Sequence, residues 1–250
     1  MRLLKFISFF FLLVTLTSCT FTENIDVAAD GTGKFSLEMD GSALMAMAGE
    51  QLGNEMNESK QNIDSTFSFK EMFKNKKDSI AKLSLEEQKE LKKLENFMVH
   101  MKMNTEQNQF LLNLKTDFKN VNELQDMVKS LSAIQNIEKN KSSEGKLPFD
   151  GSFSNNSIVS FNYDGKKFNK KVVLNSKETI KAVADSLGMY RMIFASSSYV
   201  IKYRFPKKVK KVSNANALFS EDRKTITIQY PFIDYMENPT KLGLEVEFEK

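Results

Sequence analysis

Pairs of strand-like segments joined by tight turns recur along this chain of 250 residues. In the first pair, residues 21–27 and 35–39 alternate apolar and polar side chains on either side of Asp30-Gly31-Thr32-Gly33. Glu23 interrupts the apolar face of the first segment. Because parallel strands need a crossover of a dozen or more residues, such short turns predict antiparallel neighbours.

Further strand pairs and amphipathic helices follow in the same order. Strand pairs are predicted at 97–105 with 109–118 and at 157–163 with 168–174. Helices are predicted at 43–52, around 67–73, after the Ser84 capping box, at 120–137 and at 176–194. Single strands are predicted at 199–205, 209–212, 225–230 and 242–248. We therefore expect an α+β fold, an antiparallel sheet built from successive β-hairpins with amphipathic helices packed on one face.

The strongest apolar run lies at the start of the chain and ends at the only cysteine, Cys19. Basic Arg2 and Lys5 precede the apolar residues 6–16, an order typical of a secretory signal peptide at 1–18. The run is shorter than the roughly 20 residues that a membrane-spanning helix needs. We expect 19–250 to form one exported domain, with a candidate internal boundary at the charged segment 138–151.

Leu16-Thr17-Ser18-Cys19 resembles the lipobox of bacterial lipoproteins, in which the cysteine carries the lipid. The resemblance implies that Cys19 is lipidated, with palmitate-type acyl chains that anchor the protein to a membrane of the cell envelope, expected to be the outer membrane. Two acyl chains suffice for stable anchoring. Because lipidation uses the only thiol, we expect no disulfide, thiolate metal site or cysteine nucleophile in the folded part.

Composition and motifs offer little basis for catalysis. Without Arg2 and Lys5 the chain has 34 basic and 32 acidic side chains, a near-balance that gives no support for a nucleic-acid partner. His100 is the only histidine and is expected on the polar face of a strand, so zinc, copper and general-base roles are not predicted. The acidic residues around the first hairpin lack calcium-loop spacing. We expect no catalytic, cofactor or metal site, and no enzymatic activity.

The sharpest charge feature follows Arg204-Phe205-Pro206 and consists of four lysines, here called the lysine segment: Lys207, Lys208, Lys210 and Lys211. These side chains are candidate contacts to an anionic surface, either lipid headgroups or cell-surface polymers. Lysines on an edge strand also discourage intermolecular strand pairing, and we favour that explanation. A second lysine group lies at Lys166, Lys167, Lys170 and Lys171.

Three short patterns resemble the O-glycosylation sequon of exported Bacteroidota proteins: Asp64-Ser65-Thr66, Asp78-Ser79-Ile80 and Asp185-Ser186-Leu187. The first two are expected in a polar linker at 53–78, where a glycan would fit, and the third on a helix.

The lipobox, Ile25-Asp26-Val27, and the tail from Tyr203 through Asn238-Pro239 resemble an uncharacterised lipoprotein family of Bacteroidota, and the tail is also similar to LppM-like lipoproteins. The resemblance implies an envelope location and an α+β fold, and it supplies no catalytic residue. We expect a membrane-anchored, non-enzymatic binding or structural module with an envelope protein as partner. The alternative is a carrier of a lipid or other hydrophobic ligand, suggested by 21 Phe and 13 Met.

Overall fold

A computed structural model describes residues 19–43, 45–46, 62–125, 157–174, 191 and 194–250. The strands are β1 Thr20–Val27, β2 Gly33–Asp40, β3 Asn62–Ser68, β4 Met98–Asn104, β5 Gln109–Phe118, β6 Ser157–Tyr163, β7 Lys167–Leu174, β8 Ser198–Arg204, β9 Val209–Val212, β10 Leu218–Phe219, β11 Thr225–Pro231 and β12 Leu244–Phe248. The helices are α1 Phe69–Asn75, α2 Lys77–Ile80, α3 Leu85–Lys93 and α4 Phe232–Glu237, with a 3₁₀ turn at Pro239–Leu242.

The described strands form one sheet of eight strands and one of four. In the large sheet the order is β10-β11-β8-β1-β2-β5-β4-β3. The predicted hairpins β1–β2 and β4–β5 are present and antiparallel, and so is β6–β7 in the small sheet. The antiparallel, hairpin-based part of the predicted fold is therefore confirmed.

Strands β1 and β8 are parallel, which the hairpin argument did not predict. Thr20 pairs with Ser198 and Asp26 with Arg204, so both strands begin at one end of the sheet. More than 160 residues separate the two strands in the chain, ample for the crossover that a parallel pair requires. The expectation of a single antiparallel sheet was thus wrong, because hairpin signals describe only strands adjacent in the chain.

The predicted linker at 53–78 was also wrong in its second half. Strand β3 occupies 62–68 and pairs with β4 along its whole length. Helix α1 then begins with a capping box, in which the Ser68 hydroxyl accepts from Glu71 N–H and the Glu71 carboxylate accepts from Ser68 N–H. The short helix expected around 67–73 is confirmed as α1, and its Phe69 and Phe73 are buried. The sequence did not predict this strand because its outward side chains are polar. Its inward residues are only partly buried, so they do not form a strongly apolar alternation.

The capped helix after Ser84 is confirmed as α3, where Ser84 and Glu87 form a second capping box. The helices predicted at 43–52, 120–137 and 176–194 lie mostly outside the described residues, as does the candidate boundary at 138–151. Packing of helices on one face of the sheet stays a prediction.

The small sheet has the order β6-β7-β12-β9 and packs its aromatic face against the large sheet. The Phe168 ring on β7 lies 5.5 Å from the Tyr203 ring on β8 and 5.2 Å from the Phe205 ring, measured between centroids. Phe205 in turn lies 4.9 Å from Phe248 on β12. Phe168, Tyr203 and Phe205 are at most 1% exposed. The two sheets therefore share one aromatic core, stabilised by burial of large apolar rings.

Candidate binding groove and buried charge cluster

The outer face of the large sheet carries a row of polar side chains across four adjacent strands. In the register, Lys202 on β8 pairs with Asn24 on β1, Asn24 with Ser36 on β2, and Ser36 with Lys115 on β5. Alternate residues of each strand point to the opposite, mostly apolar face, so these four side chains share the outer one. Strand pairing thus gathers residues that are far apart in the chain.

A second row runs beside the first, one pleat further along the strands. It contains Arg204 on β8, Asp26 on β1, Lys34 on β2 and Asp117 on β5. Arg204 donates to the Thr225 hydroxyl at 3.3 Å and lies 3.4 Å from the Asp222 carboxylate. The charges in this row alternate in sign, so its net contribution is small.

Both rows line a depression of about 770 Å³, here called the outer groove. Its remaining walls include Asn96, which precedes β4, and Met98, the first residue of β4. Asn24 Nδ2 donates to the Ser36 hydroxyl and to Glu38 Oε1, each at 3.1 Å, and so spans the floor. The groove offers ammonium, amide and hydroxyl groups, which can bind anions and hydrogen-bonding ligands.

Between the two sheets lies a buried charge cluster, formed by Glu23 on β1, Lys170 on β7, and Tyr199 and Tyr203 on β8. The Lys170 ammonium donates to both oxygens of the Glu23 carboxylate at 2.8 Å and to the Tyr203 hydroxyl at 3.0 Å. The two tyrosine hydroxyls donate to the two Glu23 oxygens. The side chains of Lys170 and Glu23 are only 4% and 7% exposed. Every charged atom of the cluster therefore finds its partners inside the protein.

Burial alone would raise the pKa of Glu23, but the Lys170 charge and the three donors outweigh it and hold the pKa below its usual range. Burial followed by the Glu23 charge raises the pKa of Tyr199 and of Tyr203 well above the usual value. Glu23 is thus ionised and both tyrosines are neutral donors near neutral pH. The cluster is a closed ion pair that links the two sheets, and its charged side chains are almost entirely shielded from solvent.

In the sequence, Glu23 interrupts an apolar face, whereas Lys170 is one of four neighbouring lysines with no distinguishing feature. A charged residue at an inward position of an alternating strand is the signal that could have found this cluster, since such a charge is rarely buried without a partner. Nothing in the sequence pairs the two residues, which are 147 positions apart.

Cys19, the predicted lipidation site, directly precedes β1 and is 2% exposed. Its carbonyl oxygen accepts a hydrogen bond from Ser198 N–H at 2.9 Å, so its backbone is joined to β8 as well as to β1. Lipidation itself stays a prediction.

The lysine segment is exposed and lies beyond the C-terminal end of β8 and along β9. Strand β9 is an edge of the small sheet, as the edge-protection explanation requires. Since β1 and β8 run parallel from Cys19 and Ser198, Lys207 and Lys208 lie at the end of the sheet opposite Cys19. Contact with an anionic surface stays a prediction, and this position favours a polymer over the headgroups around the predicted anchor.

His100 lies on the outer face of β4, where its Nε2 is 2.8 Å from Asp64 Oδ1 on β3. Asp64 belongs to the first glycosylation-like pattern, which therefore sits on edge strand β3 rather than in a linker. The second pattern, at 78–80, lies in α2. Both were expected in a linker and that expectation was wrong; the third lies outside the described residues.

The described part of the chain holds neither a candidate metal cluster nor a candidate membrane-spanning helix. Its residues contain no group of three or more His, Cys, Asp or Glu side chains that could hold a metal ion. None of its helices is long and apolar enough to cross a membrane.

No protein-family model matches the chain, and no curated protein is similar to it at a significant level. Among solved structures, the chain has a weak likeness to the folded domain of LppM from Mycobacterium tuberculosis, determined by NMR. The match covers 93% of this chain and 91% of that domain, with 6% sequence identity and a TM-score of 0.37. That domain is from one of the lipoproteins to which the tail was compared above; at this score the likeness does not establish a common fold, and the resemblance to a Bacteroidota family stays a prediction.

Proposed function

We propose that the protein is a lipid-anchored bacterial lipoprotein of the cell envelope, whose domain is a non-enzymatic binding module held close to the membrane. The observation that carries the proposal is the position of Cys19, with no residue between it and β1. The hydrogen bond from Ser198 N–H ties the same residue to the neighbouring strand. A lipid on Cys19 would therefore hold the sheet itself, with no flexible tether.

The binding role is supported by the contrast between the two polar sites. The buried charge cluster satisfies its own groups and is sealed from solvent, whereas the outer groove presents the ammonium groups of three lysines to solvent, none of them in an ion pair with a described carboxylate. Exposed ammonium groups beside amide and hydroxyl groups on one sheet face suit the binding of a polar ligand.

The anchor is tested by expressing the full chain in a bacterium fed an alkyne-tagged palmitate. We expect label in the protein, an N-terminal peptide beginning with acylated Cys19 by mass spectrometry, and recovery in the membrane fraction after a carbonate wash. Cys19→Ala should lose the label, whereas Thr20→Ala beside it should keep it. Label that persists in Cys19→Ala, or wild-type protein that carries none, would refute the anchor.

Carriage of a hydrophobic ligand is the second candidate. It is favoured by half-buried apolar side chains on the inner face of the large sheet, among them Leu37, Met101, Met103 and Leu112. Native mass spectrometry of protein extracted without added lipid tests it: a co-purifying apolar ligand supports carriage, and ligand-free protein argues against it.

A further inference from the structure

The outer groove holds three exposed lysines that form no direct ion pair with a described carboxylate. Within the described residues, no carboxylate lies within 4.0 Å of the ammonium groups of Lys34, Lys115 or Lys202. Lys115 and Lys202 stand at the two ends of the first row, three strand spacings apart, or about 14 Å between backbones. Their spacing suits a ligand with at least two separated negative charges.

The floor between those two lysines is hydrogen-bonding and carries no positive charge, and its Asn24 amide donates to the Glu38 carboxylate. It consists of the Asn24 amide and the Ser36 hydroxyl, both half-buried. A ligand that spans the groove must therefore present uncharged polar groups between its negative charges. Sugar hydroxyls between the carboxylates of an acidic polysaccharide have this arrangement.

The backbone of the groove is already fully used in the sheet. Each of the strands β8, β1, β2 and β5 has a hydrogen-bonded neighbour on both sides. An extended peptide that adds to a sheet needs an open edge, and the groove lies on the face of four interior strands. Recognition here depends on side chains alone, which favours a glycan over a peptide.

The groove is also separated from the predicted anchor. Asn24 is five residues along β1 from Cys19, a rise of roughly 16 Å at 3.3 Å per residue, and Asp26 is further. The headgroup layer of a bilayer is only about 6 Å thick per leaflet, from the difference between core and full thickness. A sheet rising from Cys19 therefore lifts the groove above the headgroups of its own membrane.

We propose that the outer groove binds an acidic polysaccharide of the cell envelope, with Lys115 and Lys202 holding separate negative charges and Asn24 and Ser36 bonding the hydroxyls between them. The direction in which the groove faces rests on the proposed anchor; the binding itself does not. Loss of the anchor in the labelling experiment would leave the groove prediction intact.

The test uses the full chain purified in a non-ionic detergent and titrated calorimetrically with hexagalacturonate. Maltohexaose, a neutral oligosaccharide of the same length, is the ligand control. The variant Lys115→Gln/Lys202→Gln removes two groove charges, and Lys89→Gln/Lys92→Gln removes two exposed charges from α3. We expect binding of hexagalacturonate only, weakened about tenfold or more by the groove variant, unchanged by the α3 variant, and weakened by salt.

Four results would overturn the proposal. Equal weakening by the two variants would mean that the net charge of the protein, rather than the groove, attracts the ligand. Binding of hexaglutamate that equals that of hexagalacturonate and depends on the groove lysines would make the ligand an acidic peptide. The same result with phosphatidylglycerol vesicles would make it a lipid surface. Failure of hexagalacturonate to bind at all would remove the acidic-sugar assignment.

Discussion

Replacing Lys170 with methionine isolates the energetics of the buried charge cluster. Methionine has nearly the same length and fills the same space, so the main change is loss of the ammonium. Glu23 keeps the hydroxyl donors of Tyr199 and Tyr203 but loses its counter-charge. Removing one partner of a buried ion pair costs about 3–5 kcal/mol when the remaining charge has no escape.

Glu23 has an escape, because it can bind a proton on folding. Its unfolded pKa is close to the model-compound value of 4.5, so protonation at pH 7 costs about 1.36 × 2.5, or roughly 3.4 kcal/mol. This limits the loss at neutral pH to about 3–4 kcal/mol, a large share of the 5–15 kcal/mol that stabilises a typical domain.

The pH dependence of stability should have opposite signs in the wild type and in Lys170→Met. In the wild type the pKa of Glu23 is lowered, so its contribution is present above the unfolded pKa and is lost only as the pH falls through the folded value. In Lys170→Met, burial should raise the pKa of Glu23, so the folded variant gains relative stability as the pH falls. We expect the loss to shrink by about 1.4 kcal/mol per pH unit, to about 1 kcal/mol at pH 5.

Urea unfolding at pH 7, 6 and 5 measures these values, followed by far-UV circular dichroism because the chain has no Trp. Lys167→Met is the matched control: Lys167 lies on the same strand in an exposed 3.0 Å pair with Glu247, and such pairs contribute little. A Lys170→Met loss equal to that of Lys167→Met, or one that does not change between pH 7 and pH 5, would refute the account of the cluster.

Two other perturbations test the packing of the first hairpin and the surface role of the lysine segment. Gly33→Ala should destabilise the fold by about 1–3 kcal/mol, because an added Cβ would lie 2.0 Å from the Asp26 carbonyl oxygen and 2.5 Å from the Phe118 ring; an unchanged urea midpoint would contradict this. Reversing all four charges of the lysine segment to glutamate should leave binding of the protein to anionic vesicles unchanged, since Lys207 and Lys208 lie opposite Cys19; weakened sedimentation with the vesicles would show that the segment contacts headgroups after all.

Local patterns in the sequence predicted local structure well. The strand pairs predicted around the turn at 30–33 and at 157–163 with 168–174 are the β1–β2 and β6–β7 hairpins, because turn chemistry acts over a few residues. The Ser84 box likewise gave the start of α3, since the cap bonds close within one turn. The parallel β1–β8 pair and the division into two sheets had no comparable signal, because both depend on contacts between distant segments.

The two sites differ in how far the sequence could reveal them. Glu23 could be recognised in the sequence as a charge on an apolar face. Its partner Lys170 could not be identified from the sequence. The outer groove had no comparable sequence signal. Its first row consists of ordinary outward residues of four strands, and only the strand register brings them together: Asn24, Ser36, Lys115 and Lys202. A site of this kind cannot be inferred without knowing which strands are neighbours.

Strand β1 contributes to the core with one set of alternate side chains and to the outer groove with the other, and it begins next to the predicted anchor. Its inward side chains Phe21, Glu23 and Ile25 are buried, and Glu23 ties the strand to the small sheet through Lys170. Its outward side chains supply Asn24 and Asp26 to the groove, while Cys19 stands at its start. Because neighbours on both sides hold β1 in register, a lipid on Cys19 would fix the height of the groove above the membrane as well as the location of the protein. The buried ion pair joins this strand to the second sheet, so with a lipid on Cys19 both sheets together would resist a pull on the lipid.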